Sequence, residues 1–389
     1  MSAIKPFTVD WSETDVRRVL DQVRHYPWPL APAVEDGWLY GCDAKFLEET
    51  CAYWADQYDW RAAVAELNRF PQFTARVEDF DLHFVHVVGE AGGKRPLLLT
   101  HGWPGSHYEF WASIEKLAFP SRFGGKAEDA FDVVVPSLPG FGFSSRPARP
   151  VGQRLTAKLF NALMTDVLGY DRYLAQGGDW GGLVTSWLGF DHGTPVEGKK
   201  GVKAIHLNMI GFRPKGGPQS PEEIAWLTRQ QAMMGALGAY FGLQASKPQS
   251  LAWLGAGNPV GQAAWIFERF YDWSDLRTKP LIGAYTRDQL ITNVMIYVMT
   301  GSFTTGAWYY RGLMEEGGIA AMEGQRCETP TAFANFPGEP LYKAPPRSWA
   351  DRAYNITRWT DMERGGHFAA MEEPDAFVAD VRDWAREVG

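Results

Sequence analysis

The stretch Gln176-Gly177-Gly178-Asp179-Trp180-Gly181-Gly182 most constrains what this chain can fold into. A short apolar run, Tyr173-Leu174-Ala175, reads as a buried strand, and Leu183 to Leu188 begins a helical pattern. Between them lies Gly-x-Asp-x-Gly, the spacing of a strained strand-to-helix turn that lifts one side chain above a sheet. Glycines are needed there because neighbouring backbone comes too close for a Cβ. The raised residue is Asp179. Taken alone, the stretch reads equally well as a strand ending in a glycine-rich turn, with Asp179 as an ordinary helix N-cap. The rest of the chain has to decide.

The flanking pattern is the one such a turn requires. Leu97 to Thr100 is a buried strand that stops at His101-Gly102-Trp103-Pro104-Gly105-Ser106, and a helix is expected over Tyr108 to Leu117. Phe131 to Val135 and Val202 to Leu207 are further strands, with a helix over Arg154 to Leu168 between them. Asp81 to Val88 alternates and is a strand, on which His83 and His86 have no ligand partner nearby and read as structural. Strands alternating with helices imply an α/β fold with a mostly parallel sheet covered on both faces. Residues 1–80 read as a helical meander packed on the core, and 81–212 as its first part. Residues 213–328 read as helices only, a lid inserted between strands. Its helix starts are a capping box at Ser220-Pro221-Glu222-Glu223, Asn258-Pro259, and Thr286-Arg287-Asp288-Gln289. Residues 329–389 resume the alternation, with strands at Thr331 to Phe336 and Tyr354 to Arg358 and a closing helix from Pro374 to Glu387.

Composition narrows the chemistry. A net charge of −8 over 389 residues supplies no basic stripe for nucleic acid. Three cysteines, Cys42, Cys51 and Cys327, have no metal-type spacing and suit a reducing compartment. No apolar run approaches membrane-spanning length, so a cytoplasmic protein without a membrane anchor is expected. Neither a metal nor a cofactor is expected. Aromatic residues reach 14%, which fills a core and can also line an apolar pocket.

A carboxylate needs no base to act as a nucleophile at neutral pH, since its reference pKa is about 3.9. Attack on carbon forms an ester that must then be hydrolysed, and water activation needs a histidine oriented by an acid. His367, in Gly365-Gly366-His367-Phe368, follows the last strand in the chain order nucleophile, acid, histidine. Alone it could also be a turn histidine. Glu339 follows the strand at 331–336 and is the candidate acid. Asp361 and Glu363 precede His367 on its own loop and read as solvated, and Glu328 lies at the other end of its strand. The oxyanion hole is expected from the backbone N–H groups of Trp180 and Trp103, whose side chains read as pocket walls.

Together, His101 to Ser106, Gly177 to Gly181 and Gly365 to Ala370 resemble the microsomal-type epoxide hydrolases, enzymes of the α/β-hydrolase fold with an aspartate nucleophile. The resemblance extends over nearly the whole chain, including Leu67-Asn68-Arg69-Phe70-Pro71 in the meander and Thr292 to Tyr297 in the lid. It implies hydrolysis of a small lipophilic epoxide to a vicinal diol, without a cofactor, and two lid tyrosines that donate to the epoxide oxygen. Tyr240 matches the first position and Tyr310 the second, with Tyr309 its close competitor. Glu339 matches the family's acid. The anchor of the microsomal enzymes is missing, which implies a soluble, bacterial-like member. Two rivals remain. A haloalkane dehalogenase would share the nucleophile but need halide-stabilising donors, and a non-catalytic receptor of the same fold would have lost part of the constellation. The sequence leaves oligomeric state open, a homodimer included.

Overall fold

The computed structural model describes residues 3–31, 34, 36–92, 95–193 and 200–389. Among the described residues nine strands form one sheet: β1 (Lys5–Phe7), β2 (Gln72–Val77), β3 (Phe80–Val87), β4 (Pro96–Thr100), β5 (Asp132–Pro136), β6 (Arg172–Gly177), β7 (Gly201–Leu207), β8 (Cys327–Asn335) and β9 (Tyr354–Asp361). Their spatial order is β1-β2-β3-β5-β4-β6-β7-β8-β9. The first three strands and their junction with β5 are antiparallel, and every pairing from β5 to β9 is parallel. The central strands are continuous apolar runs because both faces are covered. Every residue of β4 and β5 is buried. One face carries the helices Gln153–Ala162 and Asp179–His192, and the other carries Trp111–Ala118 and Pro374–Val388. This is the α/β-hydrolase fold.

The chain leaves the sheet after β7 and returns at β8, its parallel neighbour. Between them lie the helices Pro221–Leu237, Ala239–Ser246, Pro248–Gly255, Pro259–Trp273, Arg287–Thr300 and Ser302–Glu315. The expected helix starts are present at Asn258, whose side chain accepts from Gly261 N–H, and at Thr286, which forms a full capping box with Gln289. The box expected at Ser220 is half made. Ser220 accepts from Glu223 N–H, but the Glu223 carboxylate turns away to Gln219 N–H, Ser348 and Arg352.

The first 80 residues depart from the expectation of helices and loops. β1 and β2 extend the sheet beyond β3, with β1 at its edge, and the three residues of β1 left no periodicity to read. The N-terminal helices Glu13–Arg24, Ala44–Asp56 and Trp60–Leu67 lie against the inserted helices Pro259–Trp273 and Arg287–Thr300 as well as on the core. One polar tie is Tyr58 Oη to Thr292 Oγ1, 2.9 Å, both buried. Among the described residues no helix is long and apolar enough to cross a membrane.

Candidate active site

Asp179 stands on the turn after β6. Asp179 has φ +48°, a left-handed conformation unfavourable for a residue with a Cβ. Gly178 is the N-cap and Asp179 the first helical residue, so the N-cap reading of Asp179 fails. The strain is held by close packing that only glycine permits. A Cβ on Gly181 would lie 1.8 Å from the Thr100 carbonyl oxygen, and one on Gly102 would lie 2.2 Å from Asp179 Oδ1.

Asp179 Oδ1 accepts from Trp103 N–H at 2.7 Å, one of the two backbone donors named from the sequence. The N–H of Trp180 belongs to the first turn of the Asp179–His192 helix, where backbone donors have no intrahelical partner. The loop that carries Trp103 is clamped from two sides. Asn293 donates to Pro104 O and accepts from Ser106 Oγ, and Tyr297 Oη donates to Gly105 O at 2.6 Å. Both clamps come from the Thr292–Tyr297 stretch that resembled family sequence. His101 holds the loop from below. Leu138 N–H donates to its Nε2, so Nδ1 carries the proton and donates to Gly102 O, and burial lowers its pKa to about 4.

His367 Nε2 stands 3.4 Å from Asp179 Oδ2, and its Nδ1 is 2.5 Å from Glu339 Oε2. The other Glu339 oxygen accepts from the N–H groups of Leu341 and Tyr342, both at 2.9 Å. All three groups are buried, at 9%, 6% and 8% exposure for Asp179, His367 and Glu339. Burial disfavours the charged imidazole, but the Glu339 and Asp179 carboxylates outweigh it and hold the His367 pKa well above the ordinary histidine value. Asp361 and Glu363 are exposed, and Glu328 lies at the start of β8, away from the site.

Four consecutive backbone N–H groups fix the histidine loop. Gly365 donates to Asp275 Oδ2, Gly366 to Glu372 Oε2, His367 to Trp273 O and Phe368 to Glu372 Oε1. None of the three acceptor groups was found from sequence, because Trp273, Asp275 and Glu372 carry no motif. A further acid, Glu109, is half-buried beside the Trp103 loop, with Oε2 2.8 Å from where a Gly105 Cβ would be. Burial pushes its pKa up to about 8.

Above Asp179 is a cavity of about 180 Å³, lined by Trp180, Met209, Phe212, Trp226, Phe241 and Leu313 among others, with Tyr310 and Tyr342 on its wall. The side chain of Trp103 is buried between Tyr240, stacked at 5.5 Å and 9°, and Tyr310, edge-on at 5.5 Å. Tyr310 also meets Trp180 edge-on at 4.5 Å. Tyr309 points elsewhere: its hydroxyl donates to Thr156 Oγ1 at 2.8 Å, against the Gln153–Ala162 helix. The Tyr240 hydroxyl is 2.8 Å from that of Tyr342, a residue the sequence did not single out. Burial holds the pKa values of Tyr240 and Tyr310 well above the ordinary tyrosine value, so both stay protonated donors.

Comparison with known proteins shows the family and the fold. The model for the epoxide hydrolase N terminus matches residues 4–110, and that for the alpha/beta hydrolase fold matches residues 95–235. A putative epoxide hydrolase of Stigmatella aurantiaca is 39% identical over 381 residues, covering 96% of this chain and 82% of that one. Epoxide hydrolase 1 of Sus scrofa is 32% identical, covering 98% and 88%. Among solved structures, the juvenile hormone epoxide hydrolase of Bombyx mori superposes with a TM-score of 0.86 at 29% identity, over 100% of this chain and 95% of that one. The epoxide hydrolase of Aspergillus niger superposes with a TM-score of 0.84 at 29% identity, over 100% and 97%.

Proposed function

The chain belongs to the epoxide hydrolases, and from that membership we propose that it adds water to small lipophilic epoxides through an ester on Asp179. The observation that carries the proposal is the buried line from Asp179 through His367 to Glu339. In the first step the free Asp179 Oδ2 attacks an epoxide carbon, and the C–O bond breaks with its electrons going to the ring oxygen. Tyr240 and Tyr310 donate to that oxygen, and one of them supplies its proton. Asp179 Oδ1 becomes the ester carbonyl, already facing Trp103 N–H.

Ester formation removes the negative charge of Asp179, one of the two that hold the proton on His367. The imidazole pKa then falls, and His367 becomes the base that draws a proton from water. Water attacks the ester carbonyl, and charge collects on Oδ1 against the N–H groups of Trp103 and Trp180. Collapse releases the diol and leaves one water oxygen in the carboxylate. Glu339 orients the imidazole and stabilises its charged form.

The cavity supports a substrate of modest size. Its volume of about 180 Å³ compares with the ~150 Å³ of an apolar cavity that accepts benzene, so an aryl or short alkyl epoxide fits. In this reading residues 213–328 act as the lid, and 1–80 as packing over lid and core. A dehalogenase is disfavoured by the paired phenols and by relatives named for epoxides, and a receptor by the complete constellation. A cytoplasmic location belongs to the proposal, testable by fractionation, and the choice between monomer and homodimer is read by light scattering.

The test is a single turnover in ¹⁸O-water with styrene oxide. The first diol should be unlabelled and the label should appear in the Asp179 peptide. Labelled diol in that first turnover would mean direct attack by water, and the two-step reading would be wrong.

A further inference from the structure

Tyr342 touches both halves of the machinery. Its backbone N–H donates to Glu339 Oε1, its hydroxyl meets the Tyr240 hydroxyl at 2.8 Å, and its ring lines the cavity, 6.3 Å from the His367 ring. Tyr240 is 3% exposed, with its ring stacked on Trp103 and the Arg269 guanidinium 5.1 Å from its centroid. A buried phenol is a poor acid, because the phenolate it would leave is desolvated. Removing its proton becomes easier when a second hydroxyl donates to its oxygen, since a hydrogen bond to an anion is about twice as strong as a neutral one.

We infer that Tyr342 is a positioning residue for ring opening: its hydroxyl donates to the Tyr240 oxygen, directs the Tyr240 proton toward the epoxide, and holds the phenolate that remains. The inference rests on the reading of Tyr240 as a donor. In the step, Asp179 forms the new C–O bond and the epoxide C–O bond breaks. The Tyr240 proton passes to the alkoxide, and Tyr342 keeps its own proton. Water consumed in ester hydrolysis later returns a proton to Tyr240 through solvent.

Tyr342→Phe removes the hydroxyl but keeps the ring and the backbone N–H that Glu339 uses. In quenched-flow experiments on the full-length enzyme, followed by intact-protein mass, ester formation should slow by about tenfold. Ester hydrolysis in the same protein should stay within about twofold, since the Glu339–His367 pair is untouched. The double variant Tyr240→Phe/Tyr342→Phe should be no slower than Tyr240→Phe alone.

Each alternative result has a distinct meaning. Normal ester formation in Tyr342→Phe, with Tyr240→Phe slow, overturns the inference and leaves the mechanism standing. An additive double variant does the same, because Tyr342 would then act independently of Tyr240. Equal loss in both steps would reduce Tyr342 to a support of the acid loop. If Tyr240→Phe itself is as fast as the parent enzyme, the reading beneath the inference is wrong.

Discussion

Replacing His367 by Gln should separate the two chemical steps. Attack by Asp179 Oδ2 uses the carboxylate, Trp103 N–H on Oδ1 and the phenols, none of which needs the imidazole. Ester formation should therefore remain within about an order of magnitude. Hydrolysis loses its base, and a general base typically contributes ~10²–10⁴ in rate, which is about 3–5 kcal/mol on the barrier. Glu339 is left without its cationic partner. Stripping one member of a buried pair commonly costs ~3–5 kcal/mol, but here the N–H groups of Leu341 and Tyr342 remain at 2.9 Å and the new amide can donate as well. The loss of stability should fall below that range, and the protein should stay folded. Mixed with excess styrene oxide, the variant should consume one equivalent per site and stop. Its intact mass should rise by that of one substrate, and peptide mapping should put the adduct on Asp179. Sustained diol formation without an adduct, or an adduct on another residue, would refute the reasoning.

Tyr310→Phe should slow ester formation by about 10²–10³, the usual cost of losing one donor to a developing oxyanion. Tyr309→Phe should remain within about threefold and lose ~1 kcal/mol of stability at Thr156, and a reversal of the two rates would place the donor one residue earlier. Gly181→Ala puts a Cβ 1.8 Å from the Thr100 carbonyl oxygen, so the melting temperature and the ester burst should both fall, whereas parental values of both would show that the turn can relax. Glu109 keeps its proton in the folded state up to about pH 8 while the unfolded chain loses it near pH 4.5, so stability should decline between those values. Glu109→Gln stays neutral and should be the more stable protein at pH 8 relative to pH 5 in paired melts. Identical pH dependence in both proteins would count against that assignment.

The turn and the placing of Asp179 and His367 beside each other were legible because each sits at a strand end where backbone sterics restrict residue type. Gly177, Gly181 and Gly102 leave no room for alternatives, so their spacing is a direct imprint of the fold. Glu339 was reachable for the same reason, by asking which strand end offers a carboxylate. β1 was not, since three residues at a sheet edge carry no period. Nor were the contacts of Tyr342 or Glu372. Tyr342 meets Tyr240 across 102 positions, and Glu372 caps N–H groups that have no side-chain signature. The choice between Tyr309 and Tyr310 rested on family likeness alone, because adjacent residues on a helix differ only in the face they present, and that is decided by packing.

The clamps on the two catalytic loops divide the inserted helices by their capacity for change. Asn293 and Tyr297 hold the Trp103 loop, and the Trp273–Asp275 segment holds the His367 loop. Yet none of the residues lining the cavity comes from 248–300; its wall is drawn from 209–241 and 310–349, with Asp179, Trp180 and Leu183 at its base. Apart from Tyr310 and Tyr342, drift in that wall can reshape what enters without touching the residues proposed to make and break the ester. The clamping residues beneath have no such freedom, because a change at Trp273, Asp275, Asn293 or Tyr297 acts on the loops that carry the Trp103 N–H and His367. A lineage of this architecture can thus diversify its substrates quickly while its chemistry stands still.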